Sequence, residues 1–136
     1  MQKASEICFA SLPEISRVEV VHLAPLQTQR KGVWLMEDAR EVPGVSLQGE
    51  AAQSIARLWR ELPADRQGIR CHYPHFGLRF YRAELLELEA SLCWKCHNIF
   101  GESKGSRVAG EFDAKHPKSQ ELLAQLQQVW NEKENL

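Results

Sequence analysis

Between His75 and Cys93 the chain alternates twice. Phe76, Leu78 and Phe80 fall on one side of an extended segment, and Gly77, Arg79 and Tyr81 fall on the other. Leu86, Leu88, Ala90 and Leu92 then alternate with Glu87, Glu89, Ser91 and Cys93. The interval Arg82 to Glu84 leaves room only for a turn, so the two runs predict an antiparallel hairpin. This restricts the fold more than any other feature. A hairpin with one apolar face needs a core to lie on, and its register decides which residues meet at its open end. On its polar face Arg79 is placed to meet Glu87 or Glu89 across the strands, a pair worth under about 1 kcal/mol.

The remaining elements are arranged around that hairpin. Ile15 to Leu23 is rich in β-branched residues and stops at Pro25, which reads as a strand. Val33 to Met36 reads as a short second strand, and Pro43-Gly44 as a turn. Ala52, Ile55, Ala56, Trp59 and Leu62 form one helical stripe within Gly49 to Leu62, ended by Pro63. Ser106 to Phe112 reads as a further strand. Leu122, Leu123, Leu126, Val129 and Trp130 form the stripe of a last helix, with Pro117 in its first turn, where a missing N–H costs nothing. The expectation is one α+β domain over residues 1–136. In it an antiparallel sheet with a central hairpin (about 75–94) packs under two helices (about 49–62 and 117–131).

Composition narrows the class. Hydrophobic residues make up 43% and charged residues 26% of the chain, ordinary globular usage rather than that of a disordered segment. Lys+Arg number 17 against 18 Asp+Glu, a net charge of −1, which lacks the basic field of a nucleic-acid binder. Met1 to Leu12 carries no signal-like apolar run, and no long apolar window suits a membrane span. The expectation is a cytoplasmic protein with reduced thiols, binding neither nucleic acid nor membrane. Arg57, Arg60, Arg66, Arg70, Arg79 and Arg82 lie close in sequence with only Glu61 and Asp65 among them. They read either as a patch for an acidic protein partner or, in the favoured reading, as a face answered by Glu84, Glu87 and Glu89.

Three of the four cysteines fall between positions 71 and 96. Opposed residues of a hairpin keep a constant index sum, and a turn centred near Ala83 sets Cys71 beside Cys93 and Cys96. Four chemistries compete for this cluster. The first is structural zinc: the C-x-x-C pair supplies two thiolates, Cys71 a third, and His75, His72 or His97 the fourth ligand, with His75 chosen. The second is redox: Cys93 and Cys96 pair as a disulfide and Cys71 resolves it, although the following residues make no helix of the thioredoxin kind. The third is haem, because Cys93-Trp94-Lys95-Cys96-His97 matches C-x-x-C-H. The fourth is plain core packing, to which the separate Cys8 is assigned. Trp59 and Trp130 read as core residues, Trp94 as facing the core, Trp34 as an exposed anchor, and His116 as a helix cap or surface residue.

No serine nucleophile elbow, P-loop or dinucleotide loop occurs. The chain therefore reads as a small non-catalytic binding or interaction module with zinc on Cys71, Cys93, Cys96 and His75. The alternatives are a thiol–disulfide oxidoreductase using Cys93 and Cys96, and a regulatory or toxin-neutralising protein with buried reduced cysteines and no metal.

Overall fold

The computed structural model describes residues 4–23, 36, 39, 42–68 and 71–134. In chain order the elements are β1 (Ser5–Glu6), a 3-10 turn (Phe9–Ser11), β2 (Arg17–His22), β3 (Val45–Gln48) and α1 (Gly49–Arg60). They continue with β4 (Phe76–Arg82), β5 (Leu85–Cys93), β6 (Asn98–Ser103), β7 (Ser106–Glu111) and α2 (Pro117–Glu134). The fold is α+β. Its seven strands form one sheet in the order β1-β7-β6-β5-β4-β2-β3. Pairing is antiparallel throughout except where β1 runs parallel to β7, so the sheet is mixed rather than purely antiparallel.

The central hairpin is present. Leu78 faces Ala90 and Phe80 faces Leu88, both pairs on the core side. A bulge between Phe80 and Tyr81 shifts the register before the two-residue turn, where Ala83 adopts φ 55°. The next hairpin, β6–β7, turns at Lys104-Gly105, both at positive φ, the geometry of a tight two-residue connection. The apolar stripe of α1 (Ala52, Ile55, Ala56, Trp59) and Leu122 and Leu126 of α2 share one buried cluster with Val18, Val20, Leu78, Phe80 and Leu92. Trp59 makes edge contacts with Phe9 and Phe80 inside it. Helix α2 opens on Pro117, and His116 caps it: the Lys118 N–H donates to His116 Nδ1 at 3.1 Å.

The other sheet face is also covered. Val21, Leu23, Met36 and Ala39 form a second buried cluster there. A Cβ at Gly77 would collide with Met36 Sδ, so the cover packs directly on this strand position and would have to shift to admit a side chain. Under that cover Arg79 pairs with Glu19 at 2.8 Å and with Glu89 at 3.6 Å, and it donates to the Ala39 carbonyl at 2.8 Å. The expected Arg79–Glu89 contact forms, but both side chains are only 7% exposed, so it is not a surface pair.

Several expectations need correction. Met36 is helical and buried, so it does not end a strand. Val33 to Leu35, and with them Trp34, lie outside the described residues. Strand β6 was not anticipated, although it forms the sheet neighbour of β5. Cys8 is exposed rather than packed in the core.

Candidate thiol–disulfide site

The C-x-x-C motif occupies the turn between β5 and β6. Cys93 closes β5, Trp94 to His97 form the turn, and Asn98 opens β6. The segment 71–75 enters β4 alongside this turn and brings Cys71 to it. Cys71 and Cys96 are joined in a disulfide with their Cα atoms 5.6 Å apart. The hairpin argument thus gathers the right cysteines. The bond formed is Cys71–Cys96, neither a set of zinc thiolates nor the Cys93–Cys96 pair of the redox alternative.

Cys93 keeps a free thiol and is 1% exposed. Its sulfur accepts the N–H of Cys96 at 3.2 Å and the N–H of Tyr73 at 3.4 Å. One donor belongs to the turn and the other to the Cys71 segment, so the free sulfur is held to both segments that carry the disulfide. Cys96 is fully buried, whereas Cys71 is exposed.

A buried polar chain fixes the Cys71 side. His72 Nδ1 lies 2.7 Å from Asn98 Oδ1, and His72 Nε2 lies 2.7 Å from Ser91 Oγ. Asn98 Nδ2 donates to the Cys71 carbonyl at 2.6 Å. That bond orients the amide, so its Oδ1 must accept, and His72 carries its proton on Nδ1. Nε2 is then an acceptor, and the single Ser91 hydroxyl proton goes to it rather than to the Phe100 carbonyl at 3.2 Å. The Phe100 ring meets the imidazole edge-on at 4.6 Å. Burial lowers the His72 pKa from 6.5 to about 4, with the Asn98 hydrogen bond opposing the shift. His72 is therefore neutral at pH 7, as the hydrogen-bond pattern requires.

Ser91, His72 and Asn98 share the connectivity of a nucleophile, base and orienting group. Ser91 is fully buried, however, so its hydroxyl has no path to a substrate. The chain's chemical effect is to hold Cys71 against β6. Sequence reasoning missed Ser91 and Asn98. The only available signals were the Ser91 position on the polar side of β5 and the nearness of Asn98 to Cys96.

The zinc expectation is overturned. Two of the three thiols are consumed by the disulfide, and among the described residues no group of three or more His, Cys, Asp or Glu is placed to hold a metal ion. Of the candidate fourth ligands, His75 is exposed, His72 is committed to Ser91 and Asn98, and His97 Nδ1 lies 3.4 Å from Gln67 Nε2. The same bond occupies the Cys96 thiol that haem attachment would require. It also corrects the expectation of reduced thiols for Cys71 and Cys96.

The arginines are dispersed in their contacts. Arg79 and Arg82 pair with Glu19, Glu89 and Glu87, Arg66 pairs with Glu6, and Arg60 donates to the Leu12 and Pro13 carbonyls. Arg70 lies outside the described residues. No helix among the described residues is long and apolar enough to cross a membrane. No family model matches the chain, and neither a curated protein nor a solved structure shows significant similarity to it.

Proposed function

We propose that this protein is a non-catalytic binding module whose three clustered cysteines act as a redox switch. The observation that carries this reading is the position of Cys93. A free thiol accepts backbone N–H groups from both segments that carry the existing disulfide, which supports a role for it as the exchanging sulfur.

Two routes release Cys71. In the first, an external dithiol attacks at the exposed Cys71 side. Two electrons and two protons pass to Cys71 and Cys96, and the dithiol leaves as a disulfide. In the second, Cys93 loses its proton and attacks Cys96 Sγ. A Cys93–Cys96 bond forms as the Cys71–Cys96 bond breaks, and the Cys71 thiolate takes up a proton, with no net oxidation. Either route frees the segment that carries His72 and His75 from the β5–β6 turn. The burial of Ser91 and His72, which keeps that pair from meeting a substrate, supports a binding role over an enzymatic one.

The test is thiol trapping of the folded protein in dithiol buffers of graded potential, with the linked peptides mapped by mass spectrometry. The switch requires Cys71–Cys96 to reduce and re-form reversibly without loss of the folded circular dichroism signal. It also requires Cys93–Cys96 to appear in the Cys71→Ser variant. A bond that yields only when the protein unfolds is a fixed staple, and that result overturns the proposal.

A further inference from the structure

Cys71 and His72 are neighbours in the chain, and one side chain holds them both. Asn98 donates from Nδ2 to the Cys71 carbonyl and accepts the His72 Nδ1–H at Oδ1, 2.7 Å away. Asn98 opens β6 just beyond Cys96, the other half of the disulfide. The covalent bond and the buried imidazole are therefore two attachments of one short segment to β5, β6 and the turn between them. The site suits only the neutral ring. Among the described residues the imidazole meets Asn98, the Ser91 hydroxyl and the edge of Phe100, all uncharged. The ionisable groups of the flanking elements are not among those contacts. On β5, Glu89 pairs with Arg79 of β4 and Cys93 accepts two backbone N–H groups. On β6 and β7, Glu102 stands opposite Arg107, and Glu111 accepts the N–H groups of Gln67 and Gly68. In the turn, Lys95 lies over Tyr73 and His97 against Gln67, while His75 is exposed. No carboxylate holds a proton on His72, and an imidazolium there would lose its hydration without compensation.

We infer that breaking the Cys71–Cys96 bond lets His72 take up a proton, so that reduction and acid open the same segment together. This coupling rests on the redox switch proposed above, in which the freed segment leaves the turn and carries His72 from its buried site to water. In exchange with dithiothreitol, the protein disulfide becomes two thiols and the dithiol becomes a cyclic disulfide. Ordinary thiols stay protonated between pH 5 and pH 7, so that exchange alone takes up no proton. His72 adds one proton from solvent to the reduced side. While the bond stands, burial lowers its pKa from 6.5 to about 4. If release restores the ordinary value, the equilibrium constant for reduction rises about 20-fold from pH 7 to pH 5.

The test equilibrates the full chain with graded ratios of reduced to oxidised dithiothreitol at pH 7 and pH 5, with a selenol catalyst to keep exchange fast in acid. Acid-quenched thiols are counted by mass spectrometry, and circular dichroism reports the fold. Wild type should show the rise of about 20-fold, and His72→Gln should stay flat to within about twofold. NMR titration of wild-type His72 should give a pKa of about 4 in the oxidised protein and near 6.5 in the reduced one. That measurement needs no variant, so it decides the matter even if His72→Gln does not fold. The switch and the coupling fail separately. Reduction at pH 7 that abolishes the folded signal overturns the switch and the coupling with it. A retained signal with the same His72 titration in both redox states, or an equal rise in His72→Gln, overturns the coupling alone.

Discussion

Protonation of His72 should make this protein acid-sensitive over a defined window. The imidazole is buried, is neutral in the folded state, and is held by Asn98 and Ser91. Its pKa is about 4 when folded and 6.5 when unfolded. Between these values the unfolded chain binds a proton that the folded chain does not, so stability rises with pH across the window. The contribution is complete above pH 6.5, is lost progressively as the pH falls toward 4, and is constant below that. A separation of this size corresponds to about 3 kcal/mol, a large share of a typical domain's stability.

Urea unfolding at intervals from pH 8 to pH 3.5, read by tryptophan fluorescence, would measure the slope. Carboxylates add their own dependence, so the comparison is with His72→Gln. That variant should be less stable at pH 7, because Asn98 and Ser91 lose their shared partner at about 1–3 kcal/mol each. Its stability should nevertheless fall less steeply than wild type between pH 6.5 and 4. Equal slopes in the two proteins would refute the reasoning, since they would mean that folding does not alter the affinity of position 72 for protons. An NMR titration of His72 in the folded protein gives the same answer directly.

Three further perturbations test the fold and its bond. Cys71→Ser removes a crosslink between residues 25 apart in sequence, which by chain entropy costs about 3.5 kcal/mol. For a chain of this length that is a fall of about 12 °C in Tm, measured by calorimetry. A reducing agent should bring wild type down by a similar amount and move the variant by less, because a Cys93–Cys96 bond closes a much shorter loop. Arg79→Met removes the buried cation shared by Glu19 and Glu89, although Glu19 keeps Arg17 at 3.9 Å, and should cost about 3 kcal/mol in urea unfolding; adding Glu19→Gln and Glu89→Gln should recover most of it. Gly101→Ala places a methyl group against the Glu89 backbone carbonyl of the neighbouring strand, which cannot turn aside as a side chain can. A loss of about 1–3 kcal/mol by the same measurement is expected.

The elements legible in the sequence are those with a sustained period. β4 and β5 alternate over seven and nine residues, and the α1 stripe spans three turns ended by Pro63. β6 escaped because Asn98, Gly101 and Ser103 break its pattern: Asn98 and Gly101 are buried for reasons other than apolarity, one as part of the His72 network and one through close backbone approach. The second core face escaped for a related reason. Arg79 and Glu89 in alternate positions signal solvent, and tertiary cover that includes Met36, Ala39 and Val42 turns that face inward. Alternation reports the sidedness of a strand; it does not report what lies on the polar side.

The candidate site illustrates the same limit at the level of chemistry. Hairpin register was enough to bring Cys71 to the C-x-x-C motif, because strand geometry converts index arithmetic into distance. It did not decide which sulfurs bond, because that depends on the turn. Once Trp94 to His97 form a tight connection and His97 adopts φ 59°, Cys96 is directed toward Cys71 while Cys93 stays at the end of its strand. The zinc reading treated three thiols as equivalent ligands, whereas the fold makes them inequivalent. One is exposed, one is buried and bonded, and one is buried and free, receiving two N–H donors. A metal site needs its ligands to converge on a point; an exchange site needs a free sulfur beside a bonded pair. The spacing C-x-x-C is compatible with both, and the asymmetry of the three thiols at the β5–β6 turn is the observation on which the proposed exchange rests.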